Sequence, residues 1–332
     1  MKLMRFHRRV FTALLLGSAA ALLAGCGGHH TADDPTVLRI GFFPNLTHAQ
    51  ALVGFHETQT KGAEGWFEQR TGVKIEWYPY NAGPNAIEGL LAGTIDATYV
   101  GPNPPLNGYI RSRGANIRVL TGSARGGVAL VVHPGSGLRT AQDFRGKKIA
   151  TPQLGNTQDV AARAWLVAGG LKIKVTGGDA YVLPAANPDQ LTLFRKREID
   201  GAWTVEPWVS RLELEGGGER LVVQEDAFIT LIAASVKSLE KKRELLKKFI
   251  AAHEALTAQI NAEPEPAKVA VNAALQKATS RALPVALLEH AWPRLKFTTE
   301  LHRADFESAM RDAKAAGLLW QETDLTNLFA KP

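Results

Sequence analysis

Neutral hydrogen-bonding groups gather in loops that follow predicted strands. The stretch TPQLGNTQDV (151–160) comes after the strand-like residues 147–150 and before a helical pattern. The first N–H groups of a helix have no acceptor within the helix, so a helix start favours an anion. Asn156 or Thr157 has a side chain suited to cap this helix. The stretch therefore predicts a well-capped helix start, which on its own need not be a ligand site.

A second loop, Pro44 to His48, has the same form. It follows a predicted strand and places Asn45 ahead of another helical pattern. If both helix starts face one cleft, their partial positive charges make an anion site without a lysine or a metal. His48 has no HxH, HExxH or closely spaced carboxylate partner, so neither a metal site nor a cofactor is predicted.

Two charged residues near these loops leave alternatives open. Arg125 suits a bidentate contact with a sulfonate, nitrate or carboxylate, or else pairs with a surface acid at a hinge. Glu206 is unfavourable beside an anion unless it pairs with Arg125 or with a ligand amine. Trp203 and Trp208 form either an apolar wall for a short alkyl group or part of the core.

The sequence offers no set of residues that predicts catalysis. It contains no GxSxG elbow, and the glycines at 216–218 lack the preceding strand and the lysine of a phosphate loop. Because no nucleophile and base can be paired, the chain is expected to bind its ligand unchanged and not to be an enzyme.

Hydrophobic periodicity predicts an α/β protein with two lobes. Residues 37–43 and 73–80 read as strands with an amphipathic helix between them, which indicates a parallel sheet. A unit of helix, Ile-Asp pair, short strand and Pro-containing loop occurs at 84–104 and again at 188–208. We interpret each Ile-Asp pair as a helix-to-strand turn with a buried isoleucine.

Two extended segments are candidates for crossings between the lobes. Residues 117–134 read as two strands with a break at Gly122 to Gly127, and residues 221–235 have a similar β-branched character. Everything from Leu239 onward is expected to be helical and to pack on the first lobe.

The N-terminal residues predict export. Four basic residues, the apolar run 11–24 and the sequence LAGC up to Cys26 have the form of a lipoprotein signal at 1–25. Cys26 is the only cysteine of the chain, and it is the expected site of lipidation, followed by a tether to residue 36. The general export route is favoured over a twin-arginine route. The formal net charge of +7 comes with one dense basic segment, KKRELLKK at 241–248, which reads as a solvated helix face, so no nucleic-acid partner is predicted.

Several segments carry a family resemblance. They are GFFPNLTHAQALVG (41–54), LLAGTIDATYVGPNP (90–104), TPQLGNTQDVAARAWL (151–166), IDGAWTVEPW (199–208) and AWPRLKFTTE (291–300). Together they resemble the solute-binding proteins of ABC importers for nitrate, aliphatic sulfonates and taurine. The resemblance implies a type II periplasmic binding fold, with residues 37–124 and 234–332 in lobe I and 125–233 in lobe II. It also implies a ligand cleft between the lobes, permease and ATPase partners, and a monomer.

The resemblance also implies a set of ligand contacts. Carried onto this chain, they are Asn45, His48, Asn103, Arg125, Asn156, Thr157, Gln158, Trp203 and Glu206. An aliphatic sulfonate is the favoured ligand. Taurine is the more specific candidate if Glu206 pairs with an amine of the ligand. Nitrate or bicarbonate needs a smaller, more polar pocket. A thiamine-pyrimidine precursor, bound or metabolised with His48 as the reactive group, is the alternative from another class, and a sensory module is a third.

Overall fold

The computed structural model describes residues 34–332. The predicted leader, Cys26 and most of the predicted tether lie outside these residues. The strands are β1 (Val37–Phe42), β2 (Lys74–Pro79), β3 (Ala97–Val100), β4 (Ile117–Gly126), β5 (Val128–Val132), β6 (Lys148–Thr151), β7 (Tyr181–Pro184), β8 (Gly201–Val205), β9 (Glu219–Gln224), β10 (Phe228–Ser235) and β11 (Leu295–Phe297).

Helices connect and cover these strands. The α-helices are α1 (Ala49–Lys61), α2 (Trp66–Thr71), α3 (Gly83–Leu91), α4 (Asn103–Arg111), α5 (Thr157–Ala168), α6 (Asn187–Arg195), α7 (Trp208–Leu214), α8 (Val236–Lys241), α9 (Arg243–Ala262), α10 (Pro264–Thr279), α11 (Val285–Ala291) and α12 (Arg303–Ala315). Short 3₁₀ turns lie at Leu46–His48, Gly62–Glu64, Ala141–Phe144 and Trp292–Arg294.

The strands form two sheets, which confirms the α/β prediction. The first has the order β11-β4-β10-β3-β1-β2, and the second has the order β7-β6-β8-β5-β9. In the first sheet β1 pairs in parallel with β2 and β3, whereas β10 runs antiparallel to β3 and β4. Central strands β1, β3, β5 and β8 are buried along their whole length, as expected for strands covered on both faces.

The repeated unit has the same local structure in both sheets. Ile95 and Ile199 are buried. The Asp96 carboxylate accepts from the backbone N–H of Arg39 in β1, and the Asp200 carboxylate accepts from that of Lys148 in β6, both at 2.8 Å. The aspartates of the predicted helix-to-strand turns therefore also form hydrogen bonds to the backbone of β1 in the first sheet and of β6 in the second.

The chain crosses between the sheets at two adjacent places. It leaves the first sheet at Gly126 and Gly127, which have positive φ angles of 78° and 67°, and returns through residues 225–227. Gly126 N–H donates to Ala227 O at 2.9 Å, so the two crossings lie side by side. Both crossings were predicted, but Gly122 does not break β4, and the break falls at Gly127.

The C-terminal part departs from the all-helical prediction. After α11 the chain adds β11 to the edge of the first sheet, where Lys296 pairs with Arg125 of β4. Moreover, Arg294 forms ion pairs with Glu206 and Glu213 at the second sheet, at 2.9 and 2.5 Å. A three-residue strand at a sheet edge carries too short a pattern to predict from sequence.

No helix within residues 34–332 combines the length and the apolar character that a membrane crossing requires.

Candidate functional site

A cavity of about 30 Å³ lies where loops of the two sheets meet. The lining residues from the first sheet are Phe43, Asn45, Thr47, His48, Asn81, Ala82, Gly83, Gly101, Pro104 and Ile229, and those from the second are Pro152, Asn156, Thr157, Gln158, Asn187 and Val205. Among these described residues none is an acid, a lysine or an arginine. We call this space the anion cavity.

The topology of the sheets explains why these loops meet. Asn45 follows β1, Asn81 follows β2 and Gly101 follows β3, while Asn156 follows β6 and Asn187 follows β7. The carboxyl ends of parallel strands lie at one edge of a sheet, and ligands bind outside that edge. The two such edges face each other here, since a Cβ on Gly101 would lie 2.5 Å from Thr157 Oγ1.

Helices from both sheets begin at the anion cavity. Helices α3, α5 and α6 start with the lining residues Gly83, Thr157 and Asn187, and α1 follows His48 directly. Each helix start carries a partial positive charge. Among the described residues, the N–H groups of Thr157 and Gln158 have no hydrogen-bond acceptor. The cavity is therefore electropositive without a cationic side chain.

Three asparagines present donors to the cavity because protein donors occupy their carbonyl oxygens. Asn45 Oδ1 accepts from Trp208 Nε1 at 3.0 Å, and Asn156 Oδ1 accepts from the N–H of Asp159 at 2.8 Å. Asn187 Oδ1 accepts from the Thr204 hydroxyl at 2.9 Å. An indole or backbone N–H only donates, which fixes the amide orientation of the first two. The three Nδ2 groups have no acceptor within residues 34–332.

His48 is a neutral donor. Its Nδ1 accepts from the backbone N–H of Phe43 at 3.3 Å. Burial lowers the pKa of His48 to about 3, so near neutral pH the single ring proton lies on Nε2. Nε2 has no hydrogen-bond partner in the described part of the chain, and the ring lines the anion cavity.

Thr157 supplies a hydroxyl group without a partner. Its Oγ1 is buried and makes no hydrogen bond within the described residues. A buried polar atom is seldom left unpaired unless it serves a ligand, an ion or a water. The side-chain amide of Gln158, in the same lining, also has no partner among residues 34–332.

A buried ion pair fixes the helix start that carries these groups. Asp159 accepts from the Thr151 hydroxyl at 3.1 Å, from the Gly155 N–H at 2.9 Å and from Arg163 Nε at 3.0 Å. Arg163 is fully buried and donates to Val182 O at 3.2 Å. Gly155 has a φ of 75°, which favours glycine. The capped helix predicted at 151–160 is confirmed, with Asn156 as the capping residue.

Asn103 and Arg125 do not reach the anion cavity. Asn103 begins α4, but its Nδ2 donates to Ala309 O at 3.3 Å. Arg125 forms a bidentate pair with Asp305 at 2.8 and 2.9 Å, and this pair raises the pKa of Arg125. Arg125 is thus paired with an acid, the arrangement that the hinge alternative expects.

Glu206 and Trp203 also lie outside the cavity lining. Glu206 is buried, accepts from the Ser210 hydroxyl at 3.0 Å and pairs with Arg294 at 2.9 Å. Burial raises the pKa of its carboxyl group, and the Ser210 hydrogen bonds and Arg294 oppose that rise. Trp203 is 1% exposed and packs against Trp165 with ring centroids 5.8 Å apart, so it is a core residue.

Trp208 lines a second, larger space beside the anion cavity, together with Asn187 and Asn81. Asn187 and Asn81 were not predicted as site residues. Asn187 follows a strand end and precedes a proline, as Asn103 does, and the Asn-Pro pair is visible in the sequence. No strand is predicted from sequence at residues 181–184, so the position of Asn187 after a strand end becomes apparent only in the structure.

The described residues contain no group of three His, Cys, Asp or Glu side chains placed to hold a metal ion.

Comparisons with known proteins place this geometry in context. A model of the NMT1-like family matches residues 31–275. The chain is 27% identical over 218 residues to a protein of Bacillus subtilis (strain 168) named for binding aliphatic sulfonates, and the match covers 63% of this chain and 60% of that one. A protein of Escherichia coli (strain K12) with the same name is 30% identical over 190 residues, covering 56% and 54%. The matches span less than two-thirds of either relative.

A solved structure shows the fold. The alkanesulfonate-binding protein SsuA from Xanthomonas axonopodis pv. citri, bound to MOPS, has a TM-score of 0.71 with this chain at 22% identity, over 90% of this chain and 99% of that one. The periplasmic binding fold predicted from the resemblance is therefore confirmed.

Proposed function

Because the chain belongs to the NMT1-like family, we propose that it is the solute-binding protein of an ABC importer and that it captures an aliphatic sulfonate. The names of its relatives support the ligand class. The ligand is held in the anion cavity and passed unchanged to a membrane permease that works with an ATPase.

One observation carries this proposal: the anion cavity presents donors. The carbonyl oxygens of Asn45, Asn156 and Asn187 are occupied, which leaves three amide N–H₂ groups. His48 Nε2 and the Thr157 hydroxyl add two more donors. A small oxyanion accepts hydrogen bonds through all its oxygens, so it satisfies such a site without a counter-charge.

The donors of the anion cavity and the space beside it also favour an alkyl sulfonate over the other candidate ligands. Taurine carries an amine, and Glu206, the carboxylate considered for it, is paired with Arg294 at 2.9 Å. A pyrimidine precursor offers donors of its own, which a site made of donors leaves unpaired. Nitrate and bicarbonate fit the small anion cavity but make no use of the larger space beside it. An alkyl sulfonate uses both.

The geometry also weighs against an enzyme. A general base works best when its pKa lies near the working pH. His48, the reactive group considered for a pyrimidine-processing enzyme, has a pKa lowered to about 3 by burial. It is poorly suited to accept a proton at neutral pH and well suited to donate a hydrogen bond.

The lobe assignment is part of the proposal. The two sheets are taken as the two lobes, with the anion cavity between them. By sheet membership, Arg125 and Gly126 go with the first lobe, and so do residues 228–233. We also propose that the protein is exported, anchored through lipid on Cys26, and monomeric.

Calorimetric titration of the purified chain with ethanesulfonate, taurine, nitrate, bicarbonate and hydroxymethylpyrimidine tests the function. Ethanesulfonate is expected to bind most tightly, and Thr157→Val should weaken it about tenfold to a hundredfold, as for one hydrogen bond to a charged group. Thr230→Val is the matched control, because Thr230 Oγ1 is also buried and unpartnered within residues 34–332 but lies outside the cavity lining. Equal losses in both variants, or tightest binding of the pyrimidine, would overturn the proposal.

A further inference from the structure

A second cavity adjoins the anion cavity. Its volume is about 580 Å³, and it shares Asn45, Asn81 and Asn187 with the lining of the anion cavity. We call it the tail chamber. The anion cavity, at about 30 Å³, has room for only a few water-sized groups. A sulfonate head therefore fills it, and anything bulkier attached to that head extends past the shared asparagines.

The walls of the tail chamber are largely but not wholly apolar. Tyr80, Trp208, Leu275 and Leu283 line it together with five prolines, and no carboxylate is among its described lining residues. Its charged residues are Arg211 and Arg281. An ammonium group on the ligand would meet two arginines and no carboxylate there, whereas an apolar or aromatic group finds leucine, proline and aromatic side chains to pack against.

The walls are held in place by hydrogen bonds. Trp208 Nε1 donates to Asn45 Oδ1 at 3.0 Å, and the Arg211 guanidinium lies 4.8 Å from the centroid of the Trp208 ring. Arg211 is itself fixed by Glu215 at 2.9 and 3.1 Å. Across the chamber, Asn272 fastens the turn between α10 and α11 through two hydrogen bonds to the backbone of Leu283, at 2.7 and 3.0 Å.

We propose that the ligand is a sulfonate whose other end is a rigid ring system, with the ring in the tail chamber and the sulfonate in the anion cavity. This rests on the proposed binding of a sulfonate head in the anion cavity and goes beyond the alkyl tail of the proposed function to a ring-bearing one. A chamber of this volume lies in the range of small-molecule sites. Walls of proline and aromatic rings that are held in place suit a rigid ligand, because a ring loses less conformational entropy on binding than a flexible alkyl chain.

Calorimetric titration of the full chain with methanesulfonate, octanesulfonate and naphthalene-2-sulfonate tests this. We expect naphthalene-2-sulfonate to bind at least tenfold more tightly than methanesulfonate, and more tightly than octanesulfonate. Ala278→Trp fills the chamber from α10 and should remove the preference for the ring while methanesulfonate binding stays within twofold of wild type. Lys277→Trp adds the same side chain at an exposed neighbouring position outside the lining and should leave the preference intact.

Tyr80→Leu gives a second probe if Ala278→Trp does not fold. It removes a ring from the wall and should weaken naphthalene-2-sulfonate about fivefold without changing methanesulfonate. Equal affinity of the wild-type chain for naphthalene-2-sulfonate and methanesulfonate, tighter binding of octanesulfonate, an undiminished ring preference in Ala278→Trp, or unchanged naphthalene-2-sulfonate affinity in Tyr80→Leu would overturn the inference and leave the anion cavity standing. Failure of all three sulfonates to bind the wild-type chain would instead overturn the proposed function.

Discussion

Trp208 Nε1 donates to Asn45 Oδ1 at 3.0 Å, and this hydrogen bond joins the loop after β1 of the first sheet to the first residue of α7 beside the second. It also directs the Asn45 amide, because the occupied carbonyl oxygen leaves Nδ2 as the free donor in the anion cavity. A second bridge, from Gln153 Nε2 to Asn85 Oδ1 at 2.7 Å, joins the same two sheets. The approach of the sheets and the donor character of the cavity are thus linked through Asn45.

Trp208→Phe tests this link. Phenylalanine keeps an aromatic ring at this position but has no N–H, so the Asn45 amide is free to turn its oxygen toward the ligand. Methanesulfonate affinity, measured by calorimetry, is expected to fall about fivefold to tenfold, which corresponds to about 1 kcal/mol for one hydrogen bond. Trp66→Phe is the control, since Trp66 Nε1 also donates one hydrogen bond, at 2.9 Å to Ala252 O, but away from the cavity. Similar losses in both variants would rule out a role for the link.

Asn187→Asp tests whether the cavity needs donors. The new carboxylate keeps an oxygen for Thr204 but replaces the free N–H₂ with a negative charge. We expect ethanesulfonate affinity to fall at least a hundredfold, or about 2.7 kcal/mol, in the same titration.

Asn103→Asp is a closely matched control. Asn103 and Asn187 each begin a helix of nine residues and each precede a proline. Because Asn103 does not line the anion cavity, its substitution should leave ethanesulfonate affinity within threefold of wild type even if stability falls. A large loss of affinity in Asn103→Asp would instead support the ligand contact that the family resemblance implies for Asn103.

Features encoded by neighbouring residues could be predicted from the sequence. The helix start at Asn156 and Thr157 was identified because capping depends on residues two or three positions apart. The two Ile-Asp turns were found because the same pattern occurs twice. By contrast, Arg294 lies 88 residues from its partner Glu206. No local sequence pattern indicates a pair between residues so far apart in the chain, so Glu206 was predicted as a ligand contact.

The ion pair of Arg125 also joins residues that are too far apart in sequence to be predicted as partners. Its partner Asp305 is 180 residues away, and the short strand β11 beside it was predicted as helix. The sequence predicted Arg125 at a crossing and left both a ligand and an acid open as its partner, and only the fold brings Asp305 within reach. Neutral ligand donors such as the Asn187 amide are harder still to predict. Whether such an amide presents its N–H₂ group or its oxygen to a ligand depends on which of the two already forms a hydrogen bond within the protein.

Arg125→Ala should therefore lower stability and spare binding. The pair with Asp305 is bidentate and partly buried, so we expect the free energy of unfolding in urea to fall by about 1–2 kcal/mol. Ethanesulfonate affinity should stay within twofold of wild type. Arg303→Ala, which removes an exposed pair with Glu307, should leave both quantities nearly unchanged. Loss of ethanesulfonate binding in Arg125→Ala at full stability would assign Arg125 to the ligand after all.

Buried histidines make stability depend on pH in a predictable direction. Burial lowers the pKa of His48 to about 3 and that of His253 to about 4, from an ordinary value of 6.5. Below pH 6.5 the unfolded chain therefore binds protons that the folded chain does not. The stabilisation is complete above pH 6.5 and is lost progressively as the pH falls toward the folded-state values, by about 1.4 kcal/mol per pH unit for each histidine.

His253→Gln isolates one of these contributions. Glutamine provides an acceptor for the Tyr99 hydroxyl and a donor for Gly122 O, the two partners of His253 at 3.0 and 2.9 Å, but it does not titrate. Urea unfolding at a series of pH values from 7 to 4.5 should show a slope of unfolding free energy against pH that is smaller by about 1.4 kcal/mol per unit below pH 6. His302→Gln, at a side chain that is 56% exposed, should keep the wild-type slope. If His253→Gln also keeps it, the buried histidine is protonated in the folded chain, and the hydrogen bond from the Tyr99 hydroxyl to Nδ1 does not form.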